Sequence, residues 1–167
     1  MRGLTALTRN PAMIALAVSL AVAGCASKKV PNSPADIGLG ANSETPGSTR
    51  DFTVNVGDRI FFDTDSAVIR ADAQTTLARQ AQWLNQYPSY TITIEGHADE
   101  RGTREYNIAL GARRAAATRD FLVARGVAGN RLKTISFGKE RPVAACDDIS
   151  CWTQNRRAVT VLGGQGS

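Results

Sequence analysis

Hydrophobic spacing divides the chain into a long unpatterned beginning and a second part in which strand and helix periods alternate. Phe52-Thr53-Val54-Asn55-Val56 alternates and predicts a short leading strand. Arg59-Ile60-Phe61-Phe62 predicts the first full strand, stopped by the turn-forming Asp63-Thr64-Asp65-Ser66. From Asp72 to Tyr87, Ala73, Leu77, Ala81 and Leu84 share one helical face, and Tyr87-Pro88 ends the helix. Trp83 adjoins that face and reads as packing. Thr91-Ile92-Thr93-Ile94 alternates as a half-buried strand that stops at Glu95-Gly96. After a polar stretch, Ile108, Ala112, Ala115 and Leu122 line one face of a second helix, from about Arg104 to Arg125-Gly126, where glycine permits a left-handed cap. Leu132 to Gly138 predicts a third strand, Arg141 to Ser150 a loop, Trp152 to Arg156 a helical turn, and Arg157 to Leu162 the last strand. Such alternation implies crossover units: an α/β fold, an open two-layer sandwich with a mixed sheet of about four strands and two main helices packed on one face.

The first residues follow a different logic. Arg2 and Arg9 precede an apolar stretch from Ala12 to Ala23, shorter than the ~20 residues of a spanning helix. This is the pattern of a signal peptide over residues 1–24. Val22-Ala23-Gly24-Cys25, small residues directly before a cysteine, resembles the lipobox of bacterial lipoproteins. The resemblance implies acylation of Cys25, and Ala26 in place of aspartate implies delivery to the outer membrane, facing the periplasm. Residues 25–50 are rich in Pro, Gly, Ser, Asn and Thr and read as a lipidated N-terminus followed by a flexible linker. Residues 51–163 then form the folded domain, and residues 164–167 a disordered tail.

Charge narrows the partners only slightly. The formal net charge is +5, and loss of Arg2 and Arg9 with the leader makes it milder. No basic run is present, so there is no nucleic-acid footprint.

Chemistry gathers around the second helix. Asn107, Leu110 and Arg114 form one row beside its apolar face. The loop before the helix must fold the chain back onto the sheet, which predicts Asp99 near that row. A carboxylate and a guanidinium beside an amide and an apolar wall suit a small zwitterion, with Asp99 for an ammonium and Arg114 for a carboxylate. A surface ion pair between loop and helix is the plainer reading of the same residues.

The run GHADERGTREYNIALGARRA, ending at Ala115, resembles the signature of the peptidoglycan-associated lipoproteins (Pal) of Gram-negative outer membranes. It also resembles the broader OmpA-like pattern at Asn107, Leu110, Arg114, Ala115 and Leu122, with Gly111 where serine is usual and Thr118 where valine is usual. The resemblance covers roughly residues 52–162. It implies the OmpA-like sandwich and a non-enzymatic protein that holds the diaminopimelate side chain of the peptidoglycan stem peptide through Asp99 and Arg114. Phe62 and Asp63 match the family's first loop and enter as further contacts. A place in the Tol-Pal system, with TolB and other Tol proteins as partners in envelope integrity and cell division, is also implied; no cofactor is. A motor-stator protein with a similar wall domain would need an uncleaved spanning helix, which the short stretch before Cys25 does not provide.

Three residue types remain. Cys146 and Cys151 stand in a predicted loop, and in an oxidising compartment their spacing is compatible with a disulfide. The spacing does not match a CxxC redox motif, and one histidine makes no zinc set. His97 lacks a suitably placed nucleophile and is expected to make a structural hydrogen bond. The rival function is a wall hydrolase using Asp63 and Asp99 as paired carboxylates.

Overall fold

The computed structural model describes residues 45–165. The leader, Cys25, most of the linker and residues 166–167 lie outside the described residues.

The folded chain begins earlier than its composition implies. Helix α1 (Thr49–Asp51) is capped by Ser48, whose hydroxyl accepts from the Asp51 amide at 3.0 Å. It runs directly into a π-helical turn, Phe52–Gly57. The leading strand expected here is therefore helical: Phe52 is buried and Val54 exposed, and Gly57, at φ +91°, ends the turn. The Asp51 carboxylate accepts from the Gly47 amide at 2.9 Å and from the Trp83 indole at 2.8 Å. Tyr90 donates to the Gly47 carbonyl at 2.7 Å. Residue 47 is thus already tied to the domain, ahead of the expected border at residue 51. Trp83 is packing, as its position implied, with the Phe52, Tyr87 and Tyr90 rings centred 4.9, 4.5 and 5.5 Å away.

The remaining elements are β1 (Arg59–Phe61), α2 (Ala71–Gln86), β2 (Tyr90–His97), α3 (Arg104–Ala124), β3 (Leu132–Gly138), α4 (Ile149–Asn155) and β4 (Arg157–Gln165). They build the expected mixed sheet, in the order β1-β4-β2-β3. β2 pairs parallel with β3, and β4 runs antiparallel to both β1 and β2. Two differences concern the end of the chain. The helical turn before β4 is a full two-turn helix, and β4 continues to Gln165, through residues expected in a disordered tail.

Alternation along the strands sets the layers. Ile60, Ile92, Ile94, Leu132 and Ala158 point to one face and share a core with Leu77, Leu84, Ala115 and Leu122 of α2 and α3. Phe61, Ile135 and Val161 point to the opposite face and remain partly in solvent. Burial of each large core side chain contributes about 1.5–3 kcal/mol, so the helices are held over one face of the sheet only.

α3 lies unusually near β2. A Cβ on Gly111 would stand 2.8 Å from the carbonyl oxygen of Gly96 and would also collide with the Ser136 hydroxyl. Only glycine fits at this crossing, which accounts for Gly111 where the family pattern has serine. Thr118, the other departure, is buried and donates to the Arg114 carbonyl at 2.9 Å.

Candidate functional site

The parallel β2–β3 pair carries the chain to one end of the sheet, where Ala98 still donates to the Gly138 carbonyl at 2.8 Å. The segment from Ala98 to Thr103 then reverses direction. Its Asp99 carboxylate accepts from the Arg101 amide at 3.3 Å, a local turn bond open to aspartate because of its short side chain. Gly102 supplies a left-handed residue at φ +88°, and Thr103 caps α3 by accepting from the Tyr106 amide at 3.2 Å. Asn107, on the first turn of α3, donates to the carbonyls of Arg101 and Thr103 at 2.8 and 3.1 Å. Lys139 donates to those of Glu100 and Gly102 at 3.0 and 2.7 Å. Every turn of this loop is therefore fixed from two sides.

Asp99 is buried, and its carboxylate lies between two guanidiniums. Arg101 donates through Nε and Nη2 at 3.2 and 2.7 Å, and Arg156 through Nη1 at 3.2 Å. Burial by itself would raise the carboxyl pKa; the bonds from Arg101 and Arg156 together outweigh it and hold the group below the usual carboxylate range. Asp99 is thus a fixed anion at neutral pH.

Arg114 is placed differently from the sequence expectation. Its side chain is fully buried, and the guanidinium donates to the carbonyls of Ser66 (2.8 Å), His97 (2.7 Å) and Asp63 (3.0 Å). It also lies over the Phe62 ring, 5.2 Å from the centroid. Desolvation lowers its pKa to about 10, against the support of the Asp99 charge, so it stays protonated. The expected free guanidinium facing Asp99 is instead a brace that joins the loop after β1 to the end of β2. A row on one helix face gives direction, not reach, and a long arginine passed beneath the cleft to the carbonyls it could satisfy.

A cleft of about 270 Å³ opens above these residues. Asp99, Asn107 and Leu110 line it, as their spacing implied, together with Thr64, Asp65, Arg101 and Tyr106. Phe62 and Asp63 do not line it. Phe62 is a core ring, and the exposed Asp63 carboxylate pairs with Arg70 at 3.3 Å; the first loop reaches the cleft through Thr64 and Asp65 instead, while the Asp63 carbonyl accepts from Arg114. Asp65 takes φ +53° and accepts a hydrogen bond from the Tyr106 phenol, which closes one rim.

Three residues escaped the sequence reading. Arg101 was legible in principle, since an arginine two positions after an aspartate in a turn folds back on it. Arg156 and Trp152 come from the far end of the chain with no local signal. Trp152 donates to the Glu100 carboxylate and supports the Arg101 guanidinium, 4.1 Å from its ring centroid.

Elsewhere, Cys146 and Cys151 form a disulfide. His97 corrects one expectation: it is buried, neither ring nitrogen has a hydrogen-bond partner among the described residues, and it stacks on Phe137 at 5.6 Å.

Comparisons with known proteins agree with this architecture. The OmpA family model matches residues 61–156. The chain is 78% identical over 165 residues to the peptidoglycan-associated lipoprotein of Mesorhizobium japonicum, covering 98% of each sequence. Among solved structures, the peptidoglycan-associated lipoprotein of Burkholderia pseudomallei superposes with a TM-score of 0.62 at 43% identity, over 64% of this chain and 90% of that one. The C-terminal domain of Helicobacter pylori MotB shares the fold, with a TM-score of 0.61 at 24% identity over 65% of this chain and 85% of that one. The chain therefore belongs to the OmpA family and, within it, to the peptidoglycan-associated lipoproteins.

Proposed function

We propose that this domain binds peptidoglycan non-covalently by receiving the diaminopimelate of the stem peptide in the cleft around Asp99. The observation that carries the proposal is the state of Asp99: a buried carboxylate kept ionised by two arginines at the wall of an open cleft. An ammonium group entering the cleft meets a fixed anion. The carboxylate on the same ligand carbon meets Arg101, whose side chain is 41% exposed. Arg114 adds a fixed, fully buried positive charge whose donors are engaged by the carbonyls of Ser66, His97 and Asp63. Asn107 keeps the loop in register and Leu110 supplies an apolar wall. A ligand lacking either charge forgoes one of these two charge-assisted contacts, and that difference gives selectivity.

With Cys25 acylated and residues 26–44 as tether, the domain would anchor the outer membrane to the wall from the periplasmic side. Membership of the peptidoglycan-associated lipoproteins supports this reading and extends it to the Tol-Pal system, in which TolB and other Tol proteins act as partners in envelope integrity and cell division.

A hydrolase needs a carboxyl group whose pKa is raised so that it can donate a proton. Asp99 is shifted in the other direction and Asp63 is paired with Arg70 outside the cleft. Incubation of the full chain with purified sacculi separates the two readings: binding predicts saturable adsorption without release of soluble muropeptides, and steady release would establish the hydrolase.

A further inference from the structure

Both guanidiniums that hold Asp99 depend on one short helix. Arg156 follows α4 directly, and it donates to the Phe62 carbonyl and to Asp99, both at 3.2 Å. Arg101 rests on the indole of Trp152, in the middle of α4, and the same indole donates to Glu100. α4 has seven residues, too few to be stable alone, and buries only Cys151 and Asn155. Asp148 caps its start, and the Arg156 carbonyl just past its end accepts from the Phe62 amide at 2.9 Å. Asn155 accepts from the amides of Val143 and Ala144 at 2.9 and 3.3 Å and donates to the Ala144 carbonyl at 2.8 Å. The disulfide joins Cys151, in its first turn, to Cys146 in the preceding loop, with 5.6 Å between the Cα atoms. Cys146 is solvent-exposed.

We propose that α4, stapled by Cys146–Cys151, is the positioning element for Asp99, and that opening the staple with a dithiol reductant weakens ligand binding in the cleft. The inference rests on the wall-binding reading above and assigns to Trp152 and Arg156 the role of holding the site, without contact to the ligand.

The chemistry balances without a further reactant. A thiolate of the dithiol attacks the exposed Cys146 Sγ; the Sγ–Sγ bond breaks, and Cys151 leaves as a thiolate that takes up a proton. The second sulfur of the reductant displaces Cys146 and closes a disulfide on itself, so two electrons pass from the dithiol to the protein. α4 then keeps its ties to the loop through Asn155 and the Asp148 cap, whose carboxylate accepts from the Ser150 amide at 2.7 Å, but loses its one covalent cross-link. Trp152 loses its fixed distance to the loop at residues 99–101 and with it the support of Arg101, while Arg156 stays tied through its carbonyl to the Phe62 amide at 2.9 Å; the Asp99 carboxylate loses part of its orientation while its charge remains.

The test uses the full chain in detergent, labelled with 5-fluorotryptophan, before and after dithiothreitol. Two fluorine resonances are expected, from Trp83 in the core and Trp152 on α4. Reduction should move the Trp152 resonance, leave that of Trp83 in place, and weaken adsorption to sacculi by about tenfold, the equivalent of one hydrogen bond to a charged group. The Cys146→Ser/Cys151→Ser variant should match the reduced protein and ignore dithiothreitol. Arg156→Lys should retain more adsorption than Arg156→Ala, each with the Trp83 signal unchanged.

If oxidised protein adsorbs and reduction changes neither the Trp152 signal nor the adsorption, the positioning role is wrong. Movement of both resonances to unfolded positions also overturns it, because the loss of binding would then be general. Failure of the oxidised wild type to adsorb would instead overturn the wall-binding reading itself.

Discussion

Gly96 of β2 and Gly111 of α3 meet backbone to backbone: a Cβ on Gly96 would stand inside the radius of the Gly111 carbonyl oxygen and 3.2 Å from the Ala115 methyl group. This crossing sets how low α3 sits on the sheet, and therefore how near Asn107 and Leu110 lie to the loop that carries Asp99. We predict that Gly96→Ala and Gly111→Ala each lower stability by about 2–3 kcal/mol, because the obstructing atoms include backbone that cannot turn aside. Urea unfolding measures this. A loss below about 0.5 kcal/mol, the range of an ordinary surface substitution, would show that the layers have room to part.

His97 gives a pH dependence with a definite sign. Burial, with Arg157 and Arg141 nearby, lowers its pKa from 6.5 to about 4; Glu95, 3.5 Å from Nε2, does not reverse this. Between those values the unfolded chain holds a proton that the fold excludes, so stability falls as pH drops from 6.5 towards 4. The loss should be on the order of 3 kcal/mol. Asp99 acts in a separate window. Its folded pKa is depressed, so its contribution is intact above the ordinary carboxylate value and is lost only as pH falls below that. Thermal unfolding from pH 7 to 4 should show the first slope in wild type and a flatter one in His97→Phe. Equal slopes would mean that the imidazole titrates normally in the fold.

The sequence reading succeeded where a side chain's role follows from its own element. The period of α3, its start near Arg104, the bounds of β3 and the places of Asp99, Asn107 and Leu110 follow from the local spacing of their own segments. Phe52 to Val56 failed because three alternating apolar positions fit a strand or a helical turn equally. The deciding signal lay upstream, where Ser48 and Asp51 mark a helix start. Arg114 was misplaced, and Arg156 passed over, for a different reason. Each satisfies groups 17 to 94 residues away, and a periodic pattern says nothing about such partners.

Arg114 also supplies a stability prediction. Its three carbonyl partners lie on two separate segments, and an ammonium on a flexible stem does not reproduce the planar fork that reaches them. Arg114→Lys should therefore destabilise the domain by about 2–4 kcal/mol, the cost of buried acceptors left without donors. Denaturant unfolding of the purified variant measures it. A change within about 0.5 kcal/mol would mean that the brace is dispensable.

Arg101 and Asp63 separate the cleft from its surroundings. Both are charged, yet only Arg101 lines the cleft. Arg101→Ala should weaken adsorption to sacculi by about tenfold or more, the scale of one charge-assisted hydrogen bond. Asp63→Ala should leave adsorption within about twofold, as expected for a group whose partner is an exposed Arg70. Sedimentation with sacculi over a range of protein concentration gives both values; the opposite ranking would move the ligand to the other side of the first loop.

The most direct test of the binding site is the affinity of the full chain, in detergent, for a soluble muropeptide carrying diaminopimelate, compared between wild type and Asp99→Asn by calorimetry. The substitution keeps the size of the side chain and removes the charge that meets the ammonium group. Saturable binding by wild type, with a loss of at least about tenfold in Asp99→Asn, is the predicted result. Equal affinities in the two proteins, with both folded, would contradict the account.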